Sequence, residues 1–387
     1  MPSRTGGLVI LNQAANYLTV GFANAFKQRF DDVVLITGSV HVQGESLDPE
    51  IEVCWVNPWH ERPAWRKGFS YVLAMLRTWW LLMTRYRDDE VFFVSVPPMG
   101  YLLNLVLPHR FSMVIWDVYP DTLRITGMKQ THPVYRLWAA LNRRSFRKAW
   151  RIFTISDAMA ENLSQYVDRR HLIGQPIWSI FQENSRITAD QNPFVREHGL
   201  EGKFVVQYSG NIGVTHNVEE LIDVAERLRD DERILFQIIG RGPRQPRIER
   251  LILELNLGNV QMLPFQSAEM FPYSLSAADL GVVILHESVS RGSVPSKAYN
   301  QMSFGIPSLY IAGSDSELAR HAREYGHARC FAAEDLDGIA QFIRELATDE
   351  ELHRAMQARA EAASKHFRRG NADRFVESYL APMETDQ

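Results

Sequence analysis

Lys297 stands in SRGSVPSKAYNQMSFGIPS (290–308), between a Gly/Ser/Pro-rich loop and the first turn of an expected helix. The backbone already places partial positive charge at a helix start, so a cation there makes sense when something negative binds beside it. Free N–H groups at such a start suit a phosphate, and Ser296 and Lys297 would complete the site. The ordinary alternative for a lone lysine is a solvated surface position. Two more loops have a similar make-up. SGNIGVTHN (209–217) offers Gly210, Asn211 and Gly213, and GRGPR (240–244) offers Gly240, Arg241 and Gly242. Each follows an apolar run and precedes a helical stretch. Any one of them can be an ordinary tight turn, but three in one half, with Lys297 and Arg241 nearby, point to a bound nucleotide. GRGPRQ has Gln245 where a dinucleotide fingerprint needs its third glycine, and no GxxxxGK[ST] occurs, which argues against a P-loop NTPase.

A second set of residues suits proton transfer. WDVYPDTL (116–123) places Asp117 and Asp121 just after an apolar run, where either can orient or deprotonate an acceptor hydroxyl. The alternatives are a buried hydrogen-bonding role for Asp117 and a helix cap for Asp121. His41, His60 and His109 are further candidates with no pattern to choose among them. The single D-x-D, Asp335-Leu-Asp337, reads as a helix N-terminus, where carboxylates cap and favour the dipole. No metal is therefore expected, and electrostatic work on a leaving group would fall to Lys297 and backbone dipoles.

These residues need a scaffold that gathers loops at one edge. The first half alternates strand-like runs (GLVIL, DVVLITG, EVFFVSV, FSMVIWDV, RIFTIS) with helical stretches. The second half repeats the pattern with KFVVQYSG, ILFQIIG, NVQMLPF, LGVVILH and PSLYIA. Buried apolar strands alternating with amphipathic helices mean α/β architecture with parallel, doubly wound sheets, one per half. At 387 residues the chain is too long for one core, so two domains are expected. The polar stretch 178–200 reads as the linker. Open sheets of this type bind ligands at the carboxyl ends of their strands, which predicts a site in a cleft between two Rossmann-like domains.

Cys54 and Cys330 suggest neither a disulfide framework nor a metal motif, and fit a reducing cytoplasm. The N-terminus lacks a secretion signal, and no charge-free 18-residue apolar stretch suggests a membrane span. Residues 1–180 carry 20 Lys+Arg against 15 Asp+Glu, whereas 181–387 carry 22 against 31, which points to an anionic partner for the first half. Within that half, WHERPAWRKGFSYVLAMLRTWWLLMTRYR (59–87) sets Leu73, Leu76, Trp79, Trp80 and Met83 at near-helical spacing among basic residues. Residues 129–151 hold seven basic side chains and no acidic one. Such helices suit an anionic bilayer surface; core packing and a solvated face are the alternatives. No nucleic-acid-binding motif accompanies the basic charge.

YSGNIGVTHNVEELIDVAERL, IIGRGPR, LGNVQMLPF, LSAADLGVVIL and VPSKAYNQMSFGIP, in that order, resemble the donor domain of family 4 glycosyltransferases of the GT-B fold. The branch is the one that builds bacterial surface polysaccharides. WDVYPDTLRITG followed by FTISDAMAENL resembles that branch's acceptor domain. The resemblance implies a nucleotide-sugar donor, commonly uridine-based, metal-independent transfer with retention, and a lipid-linked saccharide acceptor. A peripheral position on the cytoplasmic face of the plasma membrane goes with it. Pro264 joins the candidate donor contacts and Asn16 the acceptor contacts. Expected domains are an acceptor domain over 1–178, a donor domain over 179–366, and a C-terminal helix within 367–387 that crosses back. Departures occur: the family's glutamate pair falls on Gly292 and Asn300, and its first-loop Arg and Lys on Asn211 and His216. Asn300 can still hydrogen-bond a ribose hydroxyl, and Glu287 can substitute for a glutamate if its loop folds back. Two rivals remain at this stage: a nucleotide-sugar epimerase of the same fold, and a non-catalytic partner in polysaccharide assembly.

Overall fold

The computed structural model describes residues 4–42, 44–60, 64–182, 186–213, 216–289 and 291–382. Residues 183–185 of the expected linker, Val214 and Thr215 of the first glycine loop, and Ser290 of the third loop lie outside them. The chain divides into two compact units, residues 1–180 with 369–387, and 181–368.

The first unit runs β1 (Arg4–Leu11), α1 (Tyr17–Lys27), β2 (Phe30–Thr37), β3 (Glu52–Trp55), α2 (Ala64–Thr84), β4 (Glu90–Val94), β5 (Phe111–Ile115), α3 (Pro133–Lys148), β6 (Arg151–Thr154), α4 (Asp157–Leu163) and β7 (Leu172–Gly174). The second runs α5 (Pro193–Glu197), β8 (Phe204–Ser209), α6 (Glu219–Arg227), β9 (Ile234–Ile239), α7 (Gln245–Glu254), β10 (Val260–Leu263), α8 (Phe271–Ser276), β11 (Leu280–Ile284), α9 (Ser296–Ser303), β12 (Ser308–Ile311), α10 (Glu317–Tyr325), β13 (Ala328–Phe331), α11 (Leu336–Thr348) and α12 (Glu350–Ser364). A last helix, α13 (Asn371–Leu380), belongs to the first unit.

Both sheets are parallel, in the orders β3-β2-β1-β4-β5-β6-β7 and β10-β9-β8-β11-β12-β13. In each, the order reverses beside the first strand, so the loops after neighbouring strands diverge and leave a crevice at the carboxyl edge. Central strands are buried on both faces: every residue of β5, β9, β11 and β12 is buried. This is why they read as continuous apolar runs rather than alternating ones.

Side-chain caps fix where several helices start. Ser156 accepts from Met159 N at 3.1 Å, Ser316 from Ala319 N at 3.2 Å, and Asp335 from Gly338 N at 3.0 Å. The first-unit core is strongly aromatic. Helix α13 packs on α1 through Phe375 against Phe22, with ring centroids 4.8 Å apart, and Tyr379 against Phe26 at 5.1 Å. Edge-to-face pairs of this kind add roughly 1 kcal/mol each beyond area burial.

Candidate functional site

The second sheet brings three loops to its carboxyl edge, and two of them interlock through backbone. Gly210 follows β8 with φ +151° and Gly240 follows β9 with φ +155°, a backbone region that L side chains rarely adopt. Gly210 N donates to Ile239 O at 2.9 Å, Gly240 N to Leu263 O at 3.0 Å, and Ile212 N to Arg241 O at 3.0 Å. A Cβ on Gly240 would sit 1.9 Å from Gly210 O, and one on Gly242 2.2 Å from Ile212 O. Glycine is thus required by the close approach of two chains as well as by φ. Arg244 closes the assembly, donating to Asn217 Oδ1 at 2.8 Å and Glu219 Oε2 at 3.0 Å.

The third element is α9, which begins at Ser296 behind Pro295 with no side-chain cap on its first N–H groups. Lys297 is its second residue, and its side chain turns inward. Nζ is buried, has no hydrogen-bond partner, and lies 4.0 Å from the centroid of the Tyr208 ring. A Cβ on Gly210 would come within 2.8 Å of it, so the glycine also makes room for the ammonium. The solvated-lysine alternative does not hold. Burial pulls the Lys297 ammonium down to about 7. His216 sits close by, and burial, then the neighbouring Lys297 charge, hold it down at about 3, so its ring stays neutral.

Other candidates flank this core. Asn211 is exposed, and its carbonyl accepts from Tyr208 Oη at 2.7 Å. Gly213 is buried against the Asn211 amide. Exposed Arg241 lies over the Phe265 ring at 5.6 Å, just past exposed Pro264 at the end of β10. Ser296 is exposed on the first turn of α9, and Asn300 is half-buried one turn on. Glu287 shares a hollow with Asn217 of the first glycine loop. That hollow, about 610 Å³ at the ends of β11, β12 and β13, is lined also by Glu220, His286 and Arg323.

In the first unit the two aspartates part company. Asp117 follows β5 and remains exposed, yet crowding protein pushes its carboxyl up to about 7. Asp121 is buried and accepts from Tyr135 Oη at 2.6 Å and Tyr166 Oη at 2.5 Å. Both carboxylate oxygens are engaged by those phenols, an arrangement that suits a buried anchor, and to act on an acceptor Asp121 would have to give up one of these bonds. It provides no side-chain cap. Asn16 is similarly engaged, its Oδ1 capping α1 by accepting from Leu18 N at 3.1 Å and Thr19 N at 3.3 Å. Only its amide NH2 is left to meet an acceptor. Asp335 caps α11, and Asp337 pairs with Arg227 at 3.0 Å. Among the described residues no group of three or more His, Cys, Asp or Glu is placed to hold a metal.

Sequence reasoning missed Tyr208, His216 as a neutral neighbour of Lys297, and Phe265 under Arg241. Tyr208 lies inside a mostly apolar strand run, which gives no sign that its ring would face a lysine 89 positions later in the chain.

Comparison with known proteins decides what this edge belongs to. Residues 190–363 match the family model described as glycosyl transferases group 1. The protein is a glycosyltransferase. The colanic acid biosynthesis glycosyl transferase WcaI of Escherichia coli (strain K12) is 28% identical over 274 residues, covering 67% of each chain. Among solved structures, WaaG, a glycosyltransferase involved in lipopolysaccharide biosynthesis, superposes with TM-score 0.71 at 14% identity, covering 97% of this chain and all of its own. HepE of Anabaena in complex with UDP-glucose gives TM-score 0.71 at 13% identity, over 97% of this chain and 99% of that one. The fold of this glycosyltransferase is GT-B, with one doubly wound parallel sheet per unit. Its group 1 domain contains all three loops of the carboxyl edge, with Lys297 among them.

Proposed function

We propose that this glycosyltransferase moves a sugar from a nucleotide-sugar, most simply a UDP-sugar, to a lipid-linked saccharide in bacterial surface polysaccharide synthesis. Transfer proceeds with retention of anomeric configuration and without a metal ion, at the inner face of the plasma membrane. One observation carries the reading: a buried, unpartnered lysine ammonium at the glycine-loop edge of a parallel sheet. An isolated buried cation is costly unless an anion completes it, and a donor diphosphate supplies that anion.

As the bond between the anomeric carbon and the diphosphate oxygen breaks, negative charge grows on the leaving group. Lys297, the uncapped N–H groups of α9 and Arg241 are the groups available to stabilise it. The acceptor oxygen forms the new bond to the anomeric carbon and gives up its proton, for which Asp117, pushed up to about 7, is the matched base. Capping by Asp335 and pairing of Asp337 with Arg227 support a metal-free leaving group, since the sequence's one D-x-D is engaged elsewhere. The names of WcaI and WaaG support a place in surface polysaccharide assembly, and the HepE complex supports a uridine donor.

The test combines purified protein, a membrane lipid extract and labelled UDP-, GDP- and ADP-sugars, with Lys297→Ala alongside. Label entering lipid from one donor, and lost in the variant, supports the reading and names the donor. Nucleotide-sugar binding absent from all three donors would remove it.

A further inference from the structure

Transfer to a saccharide needs an acceptor hydroxyl held beside Asp117, and the first unit builds a rigid aromatic surface at that point. In its sheet the strand order reverses between β1 and β4, so the loops after β1, β4 and β5 share the crevice there. Hydrogen bonds tie the three loops together: Gln13 N donates to Val96 O at 3.0 Å, and Trp116 N to Ser95 Oγ at 3.3 Å. The β4 loop is strained. Ser95 has φ +26° and Met99 φ +71°, two of the three non-glycine residues with positive φ among the described ones. Backbone strain of this kind persists where the surroundings over-determine it, and it clusters at ligand sites.

Tyr119 is the residue that this assembly fixes. It shares a tight turn with Asp117, its N–H donating to Asp117 O at 3.2 Å. Its carbonyl accepts from Asn142 Nδ2 at 2.7 Å. Its ring stacks on Trp138 of α3, with centroids 5.4 Å apart and planes 7° from parallel. One buried pair holds both partners: Tyr101 Oη donates to Asn142 Oδ1 at 2.7 Å and accepts from Trp138 Nε1 at 3.0 Å. Tyr101 follows Met99 by two positions, which links the strained loop to the stack. A ring that served only the core would be covered, yet Trp116, Tyr119 and Trp138 are half-buried and Asp117 is exposed. The Tyr119 hydroxyl differs from its neighbours too. Tyr101, Tyr135 and Tyr166 each donate to a side-chain oxygen, whereas among the described residues no hydrogen-bond partner meets Tyr119 Oη. Burial and then the nearby Asp117 charge push its phenol up, so it stays a donor.

We propose that the Tyr119–Trp138 pair is the platform for the acceptor's terminal sugar, the apolar C–H face of a pyranose lying on its exposed part and the Tyr119 hydroxyl donating to a sugar oxygen. Asp117, two residues earlier, then meets the attacking hydroxyl. Trp138 is a positioning residue that acts through Tyr119. A flat apolar ring with a free hydroxyl at its edge, next to a carboxylate, matches a saccharide, which has an apolar face and a polar rim. The inference rests on the acceptor side of the reading above and is independent of the nucleotide's identity.

Initial rates of labelled-sugar transfer by the full-length protein, with detergent-dispersed membrane lipid extract titrated as acceptor, test it. Tyr119→Leu keeps apolar bulk but has neither flat ring nor hydroxyl, and its apparent acceptor KM should rise about thirtyfold. Tyr119→Phe keeps the stack and should raise that KM by only about fivefold. Nucleotide-sugar affinity, measured by calorimetry, should be unchanged in both. Trp138→Leu should raise the acceptor KM as well, and Trp138→Phe, which restores a stacked ring, should recover most of it. The double variant Tyr119→Leu/Trp138→Leu should be no worse than Tyr119→Leu alone, a non-additivity that a merely structural tryptophan would not give. A wild-type acceptor KM in Tyr119→Leu overturns the inference, as does a nucleotide-sugar affinity that falls in step with it. Tyr119→Phe loses only an unpartnered hydroxyl and should fold, so an unchanged acceptor KM there overturns the inference even if Tyr119→Leu does not fold. Additive effects remove the role of Trp138. No transfer by wild type from any donor removes the reading above and this inference with it; wild-type transfer with unaltered KM in the Tyr119 variants removes this inference alone.

Discussion

The Lys297 ammonium lies 4.0 Å from the centre of the Tyr208 ring, with no hydrogen-bond acceptor in reach. The aromatic face offsets part of the desolvation cost by cation–π attraction, worth roughly 1–2 kcal/mol when shielded from water. That leaves all three N–H donors unmet. A position optimised for folding would pair the charge or dispense with it. This one holds the charge ready beside Gly210, where two glycine loops already bring the backbone close.

Replacing Lys297 with methionine should therefore separate stability from function. The thioether fills similar space without a buried charge, so thermal unfolding should shift upward, equivalent to about 1 kcal/mol or more. Donor turnover should fall by about two to three orders of magnitude in kcat/KM. Calorimetry and a transfer assay on one preparation check both. A variant that loses activity and stability together would make Lys297 a structural residue.

The same lysine sets a pH signature. Its folded pKa of about 7 lies below the ordinary lysine value of 10.5, so between those values the unfolded chain binds a proton that the folded chain does not. Stability from this group therefore rises with pH across that window, by at most about 1.4 kcal/mol per unit. The stability gap between Lys297→Met and wild type should be widest below pH 7 and close toward pH 10.5. Urea denaturation of both proteins across that range measures it. A gap that does not vary with pH would mean Lys297 titrates normally in the folded protein.

Gly240→Ala should be far more damaging than an exposed-loop substitution. Its φ of +155° disfavours any side chain, and the new Cβ would meet the Gly210 carbonyl rather than a flexible group. A loss of about 3 kcal/mol or more is expected, together with loss of nucleotide binding, because both glycine loops must move apart. Gly258 has open space around it and no positive φ, so Gly258→Ala is the matched control and should change stability by less than about 1 kcal/mol. Equal melting temperatures for the two variants would contradict the interlock.

The doubly wound fold was legible because buried parallel strands are apolar on both faces and leave a pattern that needs no knowledge of contacts. The three loops were legible for a related reason, since glycine at a strand's end marks backbone that must approach something closely. What stayed hidden was direction. Composition placed Lys297 at a helix start but gave no sign that its side chain folds back over Tyr208. The spacing in α2 showed a stripe, yet which residues face outward depends on where Ala74 and Leu82 dock. Asp117 and Asp121 differ by four positions and look interchangeable in sequence. Their separation depends on Tyr135 and Tyr166, which long-range packing brings to one carboxylate and not the other.

That separation is testable as opposite phenotypes. Asp121→Ala leaves two buried phenol hydroxyls without their acceptor, so a loss of about 3–5 kcal/mol is expected. Below its lowered melting temperature the variant should retain donor turnover within about threefold. Asp117→Asn should behave in reverse. Burial pushes the Asp117 carboxyl up to about 7, so the folded state disfavours its charge, and Asp117→Asn should hold or raise the melting temperature at and above pH 7. Turnover should fall by two orders of magnitude or more, the usual range for a lost general base. With donor bound, the diphosphate beside Lys297 favours its protonated form. In wild type the rate should then climb as pH rises through about 7, because only the deprotonated carboxylate can accept the acceptor's proton, and that limb should vanish in Asp117→Asn. Melting curves and pH–rate profiles for the pair decide the matter. A pH limb that survives in Asp117→Asn but disappears in Asp121→Asn would return the catalytic role to Asp121, and would require its two tyrosine hydrogen bonds to open during turnover.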